Sequence, residues 1–220
     1  MKKAFIFDLD GVIVDTAKYH FKAWQKLADS LGISFSEEQN EQLKGVSRVQ
    51  SLEKILEWGN KTISEEKFSQ LMFEKNTEYL TYISEMNASE ILPDVPRILE
   101  YLILEKQAIA LGSASKNARA ILEKVQLYDK FNTIVGGTNV SKAKPDPEVF
   151  LLGAKALGIS PENCIVFEDS VAGIKAANIA NMISIGIGNQ EVLHEADYIF
   201  KDFTEIKEEF INQLVTAKKV

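Results

Sequence analysis

The chain has 220 residues, room for one large domain or for one domain carrying an insert. Hydrophobic residues make up 45%, which supplies a sizeable core and excludes an intrinsically disordered chain. With 25 basic against 32 acidic residues the formal charge is −7. Such a surface lacks the counterion-release term that nucleic acid or an anionic membrane would require, although a few lysines in a cleft still suit a small anionic ligand.

The start, Met1-Lys2-Lys3 followed by Ala4-Phe5-Ile6-Phe7, mimics a secretory leader, but Asp8 and Asp10 end the apolar run too early for one. No stretch of about 18 apolar residues follows, so no membrane span is expected and the protein reads as cytoplasmic and monomeric. In that setting the Asn87 and Asn139 sequons carry little meaning.

Ala4–Asp8 reads as a short buried parallel strand. Residues 15–92 then show helical patterning and no convincing strand. Tyr19, Ala23, Leu27 and Leu31 space one helix, stopped by Gly32. Leu52, Ile55 and Leu56 mark a second, and Phe68, Leu71, Met72 and Tyr79 a third. After Pro93, strands and helices alternate. Strands are expected at Ala108–Leu111, Thr133–Val135, Ile165–Phe167, Ile183–Ile185 and Tyr198–Phe200. Helices are expected at Ala118–Val125 and Pro147–Leu157, and from a Ser170 cap through Ala177. Cys164, the single cysteine, falls at the start of an apolar run and reads as a buried core thiol. The pattern predicts an α/β fold: a Rossmann-like parallel sheet with helices on both faces, plus an inserted small helical cap domain. Residues 1–14 and 93–220 would form the core and 15–92 the cap, with ligands at the carboxyl ends of the strands.

Four polar groups fall at those ends. Asp8-Leu9-Asp10-Gly11 puts two carboxylates on one side of an extended segment, beside a glycine that permits a sharp turn. An ordinary solvated Asp-rich turn has the same composition. Gly112-Ser113-Ala114-Ser115 offers hydroxyls and backbone N–H groups to a phosphate, or simply caps the next helix. Lys144 precedes Pro145-Asp146-Pro147; Pro at a helix start explains the prolines but not the lysine. Glu168-Asp169 ends a strand, where adjacent acids can ligate a hard cation or complement a helix dipole. Together, in this order, the groups assemble a phosphoryl-transfer site. A cation, Lys144 and the Ser113 turn would neutralise a phosphoryl group that an aspartate attacks.

These motifs resemble those of the haloacid dehalogenase superfamily. The run Phe7-Asp8-Leu9-Asp10-Gly11-Val12-Ile13-Val14-Asp15-Thr16 is similar to its first motif. The helical insert resembles its smaller helical cap. Within the superfamily, Tyr19-His20-Phe21 with Trp24, Leu43-Lys44-Gly45-Val46-Ser47-Arg48 and Ser113-Ala114-Ser115-Lys116-Asn117 resemble the mutases that act on β-glucose 1-phosphate.

The resemblance implies Asp8 as nucleophile, forming an aspartyl-phosphate, and Asp10 as general acid and base. Asp8, Asp10 through its carbonyl, and Asp169 would hold Mg²⁺, with Glu168 nearby. Ser113, Ala114 and Lys144 would bind the transferring phosphoryl group, and Arg48, Ser115, Lys116 and Asn117 the other phosphate. His20, with Lys75 behind it, would set the position of Asp10; Asp15 and Thr16 would belong to the cap hinge. Trp24, Lys44, Gly45, Val46, Ser47 and Ser51 would line the substrate site. The partner would be a small phosphorylated sugar, turned into glucose 6-phosphate through β-glucose 1,6-bisphosphate, which also serves as activator. Lys142, two residues from Lys144, is the competitor for its role.

The residues also support the choice of a mutase. A mutase grips a bisphosphate in two orientations and needs a second anion site. Arg48 can supply bidentate contacts there and Lys116 further charge, although both residue types are also common on solvated surfaces. Trp24 reads equally as core packing, and His194 as a surface residue. The alternatives are a sugar-phosphate phosphatase on the same scaffold, or a non-catalytic phosphosugar binder, which would need no nucleophile. No Gly-x-Gly-x-x-Gly, Walker-type loop or Gly-x-Ser-x-Gly elbow is present.

Overall fold

The computed structural model describes residues 2–216. Met1, part of the leader-like start, and residues 217–220 of the expected core segment lie outside it. Six strands form one parallel sheet: β1 (Ala4–Phe7), β2 (Ala108–Gly112), β3 (Thr133–Val135), β4 (Cys164–Glu168), β5 (Ile183–Ile187) and β6 (Tyr198–Phe200). Their spatial order is β3-β2-β1-β4-β5-β6, so the winding reverses at β1. A crevice opens at such a switch point, outside the carboxyl ends of the strands.

Side-chain alternation along β1 divides the core. Phe5 and Phe7 face one side of the sheet with Ile109, Leu111, Ile165 and Phe167. Ala4 and Ile6 face the other with Ala108, Ala110, Cys164 and Val166. Phe7 stacks on Phe167 with ring centroids 4.6 Å apart. Cys164 is wholly buried, as expected, and burial pushes its thiol pKa up to about 12, which keeps it protonated.

Between β1 and β2 the chain forms α1 (Ala17–Ser30), α2 (Glu37–Glu41), α3 (Arg48–Trp58), α4 (Glu65–Ser84) and α5 (Val95–Leu104). α1, α3 and α4 share an apolar cluster of their own, which includes Trp24, Leu27, Leu52, Ile55 and Leu71, with Phe35 and Leu43 from either side of α2. α5 instead packs on the sheet through Val95, Ile98, Leu99 and Leu102. The two crossings between the helices and the sheet are tied together. Val14 bridges antiparallel to Ile91, Leu92 N–H donates to Ile13 O at 3.0 Å, and Asp15 N–H to Glu90 O at 2.9 Å. Four helices follow β2: α6 (Ala118–Lys124), α7 (Glu148–Leu157), α8 (Val171–Ile179) and α9 (Glu208–Thr216). Ser170 caps α8, accepting from Gly173 N–H at 3.0 Å, as the sequence predicts.

The differences from expectation are local. β1 ends at Phe7, one residue before Asp8, and α7 begins at Glu148. The helices α2, α5 and α9 are additional.

Candidate active site

Four strand ends converge on the crevice. Asp8 continues β1, and its N–H donates to Phe167 O at 3.0 Å, which sets it beside Glu168 and Asp169 at the end of β4. Gly11 turns the chain with φ +82°, and a Cβ there would run into the Asp169 carboxylate, so glycine is required twice over. From the neighbouring loop, Lys144 Nζ donates to Asp8 Oδ1 at 2.6 Å and to Glu168 Oε1 at 2.5 Å. The other Asp8 oxygen accepts from Asp10 N–H at 3.1 Å.

These groups line one cavity of about 810 Å³. Its walls hold Asp8, Asp10, Lys144 and Asp169, the turn Ser113, Ala114, Ser115, Lys116 and Asn117, the α2–α3 connection Lys44, Gly45, Val46 and Ser47, and from the helices His20, Trp24, Arg48, Ser51 and Lys75. Every expected site residue therefore meets in one place except Thr16 and Glu168, which are fully buried just behind the wall. Lys142 also reaches the rim, but its side chain is 68% exposed and pairs with Asp146, whereas that of Lys144 is 1% exposed. Trp24 serves both readings: it belongs to the helical core, and Lys75 Nζ sits 4.5 Å above its ring.

Glu168, expected near the cation with Asp169, lies at the end of β4 against Lys144 and Ser170. One oxygen is taken by Lys144, and the other accepts from Ser170 N–H at 2.9 Å and Ser170 Oγ at 2.8 Å. With both oxygens engaged, it anchors Lys144.

The charges explain what the crevice can bind. Burial pushes Asp8 well above the usual carboxylate range; Lys144 opposes this, while Glu168, Asp10 and Asp169 add to it. Burial and Glu168 raise Asp169 to about 7 against the pull of Lys44, whose Nζ is 3.3 Å away. Burial lowers the Lys144 pKa, but Asp8 and Glu168 outweigh it and hold the ammonium charged. Carboxylates still outnumber the ammonium groups set among them. Asp8 and Asp169, with nearby backbone carbonyls, offer an all-oxygen donor set that fits a hard divalent cation. Among the described residues no three His, Cys, Asp or Glu side chains group tightly enough to form a metal cage.

Around Asp10 lies a second network. Thr16 Oγ donates a short hydrogen bond to Asp10 Oδ1, and His20 Nε2 stands 3.9 Å from the same oxygen. Lys75 Nζ contacts His20 Nδ1 at 3.0 Å. Burial, then Lys75 and Arg48, hold the His20 pKa well below its usual value, so the ring is neutral. The neutral tautomer that accepts from Lys75 at Nδ1 carries its proton on Nε2, the nitrogen facing Asp10. Burial and Arg48 bring Lys75 itself down to about 7.

Sequence reasoning missed three members of the site. Asn40 lines the cavity, Asn76 accepts from Asn117 Nδ2 at 3.4 Å, and Tyr79 packs on His20. Lys75 and Tyr79 are four apart on α4 and share a face, the one signal that could have raised Tyr79.

The fold and the strand-end acids define a class, and comparison with known proteins agrees. The model of the haloacid dehalogenase-like hydrolases matches residues 2–181, and the chain belongs to this family of enzymes. It is 41% identical over 214 residues to the β-phosphoglucomutase of Bacillus subtilis, covering 96% of this chain and 94% of that one. The structure of β-phosphoglucomutase from Clostridium difficile superimposes with a TM-score of 0.94 at 44% identity, covering 98% of each chain. A phosphorylated-carbohydrate phosphatase of Thermotoga maritima is 31% identical over 182 residues, 82% of each chain.

Proposed function

We propose that the chain interconverts β-glucose 1-phosphate and glucose 6-phosphate through β-glucose 1,6-bisphosphate and a phosphorylated Asp8. One observation carries this reading beyond phosphate-ester cleavage. The cavity that holds Asp8, Lys144 and Ser113 is also lined by Arg48, Lys116 and Asn117, a second set of anion-binding groups. A phosphatase needs one phosphate site; a bisphosphate that must react from either end needs two. The likeness to β-phosphoglucomutases over nearly the whole chain supports the same choice.

Asp8 Oδ attacks phosphorus as the bond from phosphorus to the sugar oxygen breaks. Asp10 gives its proton to that oxygen, then takes one from the accepting hydroxyl when the phosphoryl group moves on. Burial raises the Asp10 pKa against the Thr16 hydrogen bond, which favours a carboxyl group able to donate. Lys144 neutralises the attacked phosphoryl group, held in place by Glu168. Mg²⁺, held by Asp8, Asp169 and the Asp10 carbonyl, would supply electrostatic relief for a carboxylate attacking a phosphate dianion. Residues 15–92 act as a cap that closes over bound sugar, with the His20–Lys75 pair drawing Asp10 toward the reacting oxygen and keeping water from the phosphorylated aspartate.

The test is an Mg²⁺-dependent assay with β-glucose 1-phosphate and a trace of the bisphosphate, following glucose 6-phosphate and free phosphate together. Glucose 6-phosphate is the expected main product. Free phosphate accumulating at the rate of substrate loss would make the enzyme a phosphatase.

A further inference from the structure

Asn117 stands immediately before α6, where an asparagine side chain ordinarily accepts from a backbone N–H of the first helical turn. It makes no such capping bond. Its Nδ2 instead donates across to Asn76 Oδ1 on α4, at 3.4 Å. The rest of the turn braces itself: Ser113 Oγ accepts from Ser115 N–H at 3.0 Å, and Ser115 Oγ from Asn117 N–H at 3.2 Å. The backbone is thus held from within the turn, and the amide at its end from the helical block.

The two asparagines stand differently to the cavity. Asn117 lines it with Arg48 and Lys116, whereas Asn76 does not reach the wall. Asn76 follows Lys75, whose Nζ is engaged with His20 and the Trp24 ring. An amide nitrogen carries two protons. With one given to Asn76, the other is left for an acceptor in the cavity, and Asn117 meets an anion as a donor. Turned over, the amide would present an oxygen with no proton to give.

We propose that Asn76 is a positioning residue for the second phosphate. It holds the NH2 end of Asn117 ready for the anion and ties the turn after β2 to the helical block that carries Arg48. Asn76 touches no substrate atom and acts only through Asn117. The inference rests on the two-phosphate reading above and adds to it the residue that orients one of the anion's donors.

The effect belongs to ligands with a second phosphate. In a wild type that forms glucose 6-phosphate, Asn76→Ala should raise KM for β-glucose 1-phosphate about 3- to 10-fold, the size of one net hydrogen bond, with kcat within about twofold. Hydrolysis of acetyl phosphate, which has a single phosphate, should keep its kcat/KM within about twofold. In an Asn117→Ala background the same substitution should cost nothing further, since the partner is gone. An unchanged KM, an equal loss with acetyl phosphate, or a full further loss in the Asn117→Ala background overturns the proposal. Calorimetry with β-glucose 1,6-bisphosphate on Asp8→Asn, which lacks the nucleophile, tests Asn76 whichever product the wild type forms. Adding Asn76→Ala should weaken its Kd by about the same factor, and an unchanged Kd overturns the proposal. A wild type that releases only free phosphate would refute the mutase reading, with the Kd still deciding for or against Asn76.

Discussion

Lys144 sits between two carboxylates with a side chain 1% exposed, and removing it would leave Glu168, which is fully buried, with its nearest cation gone. Breaking a buried pair from one side typically costs about 3–5 kcal/mol, because the remaining charge stays desolvated. Lys144→Ala should therefore lose about that much in urea denaturation, while Lys142→Ala, at an exposed position, should stay within about 0.5 kcal/mol. Similar losses in the two variants would remove the case for Lys144 as the anchored cation. Asp8 poses the opposite problem. Its folded pKa lies above the unfolded value of about 3.9, so the ionised form opposes folding at neutral pH. Asp8→Asn, nearly isosteric and neutral, should abolish turnover without lowering Tm in Mg²⁺-free buffer at pH 7.5. Retained turnover would disprove the nucleophile assignment.

At the scale of elements, α8 shows how a helix start holds a buried carboxylate. Its first turn packs under the Glu168 carboxylate, and a Cβ on Gly173 would collide with it. Gly to Ala inside a helix ordinarily stabilises by about 1 kcal/mol. Here the clash reverses the sign: Gly173→Ala should destabilise by about 1–3 kcal/mol. It should also slow turnover by displacing Glu168 from Lys144. Thermal unfolding and kcat, measured together, check both; a stabilised, fully active variant would show that Glu168 has room to move. Such contacts were invisible in the sequence, where Gly173 is one small residue in an apolar helix. The strands were legible because short apolar runs of three to five residues, most of them ending in acids, serine or glycine, read the same way in any context. Three helices were not. α2 is five residues long, too short for periodicity to register. α5 is apolar on most sides and carries Pro96 in its first turn, so it resembles a strand or a break. α9 lies beyond the last acid that organised the reading. The candidate site was legible where a single polar residue ends an apolar run or stands out in a loop, as at Asp8 and Lys144, which the structure brings together. Side-chain orientation was not legible: Glu168 turns inward to Lys144, and Tyr79 serves as an apolar marker of α4 until its ring is seen packed on His20.

Across the whole molecule, the cost of gathering acids at one end of the sheet links metal, pH and stability. Asp169 is raised to about 7 in the folded chain against about 3.9 unfolded, mainly by burial and by Glu168. The folded state thus holds this proton more tightly than the unfolded state does. The stability it contributes is present below about pH 4 and is lost as pH rises through about 7. Asp8 is shifted in the same direction. A divalent cation at these carboxylates competes with protons, so its stabilising effect should grow across the same window. At about 100 times its dissociation constant a ligand adds about 2.7 kcal/mol, roughly 5–10 °C of Tm for a chain of this size. Melting curves at constant ionic strength, with and without Mg²⁺, should therefore show a small shift at pH 5 and a shift of that order at pH 7.5. Asp169→Asn should flatten both. An Mg²⁺ shift equal at the two pH values, or one that survives Asp169→Asn, would mean that the cation stabilises the protein somewhere other than this crevice.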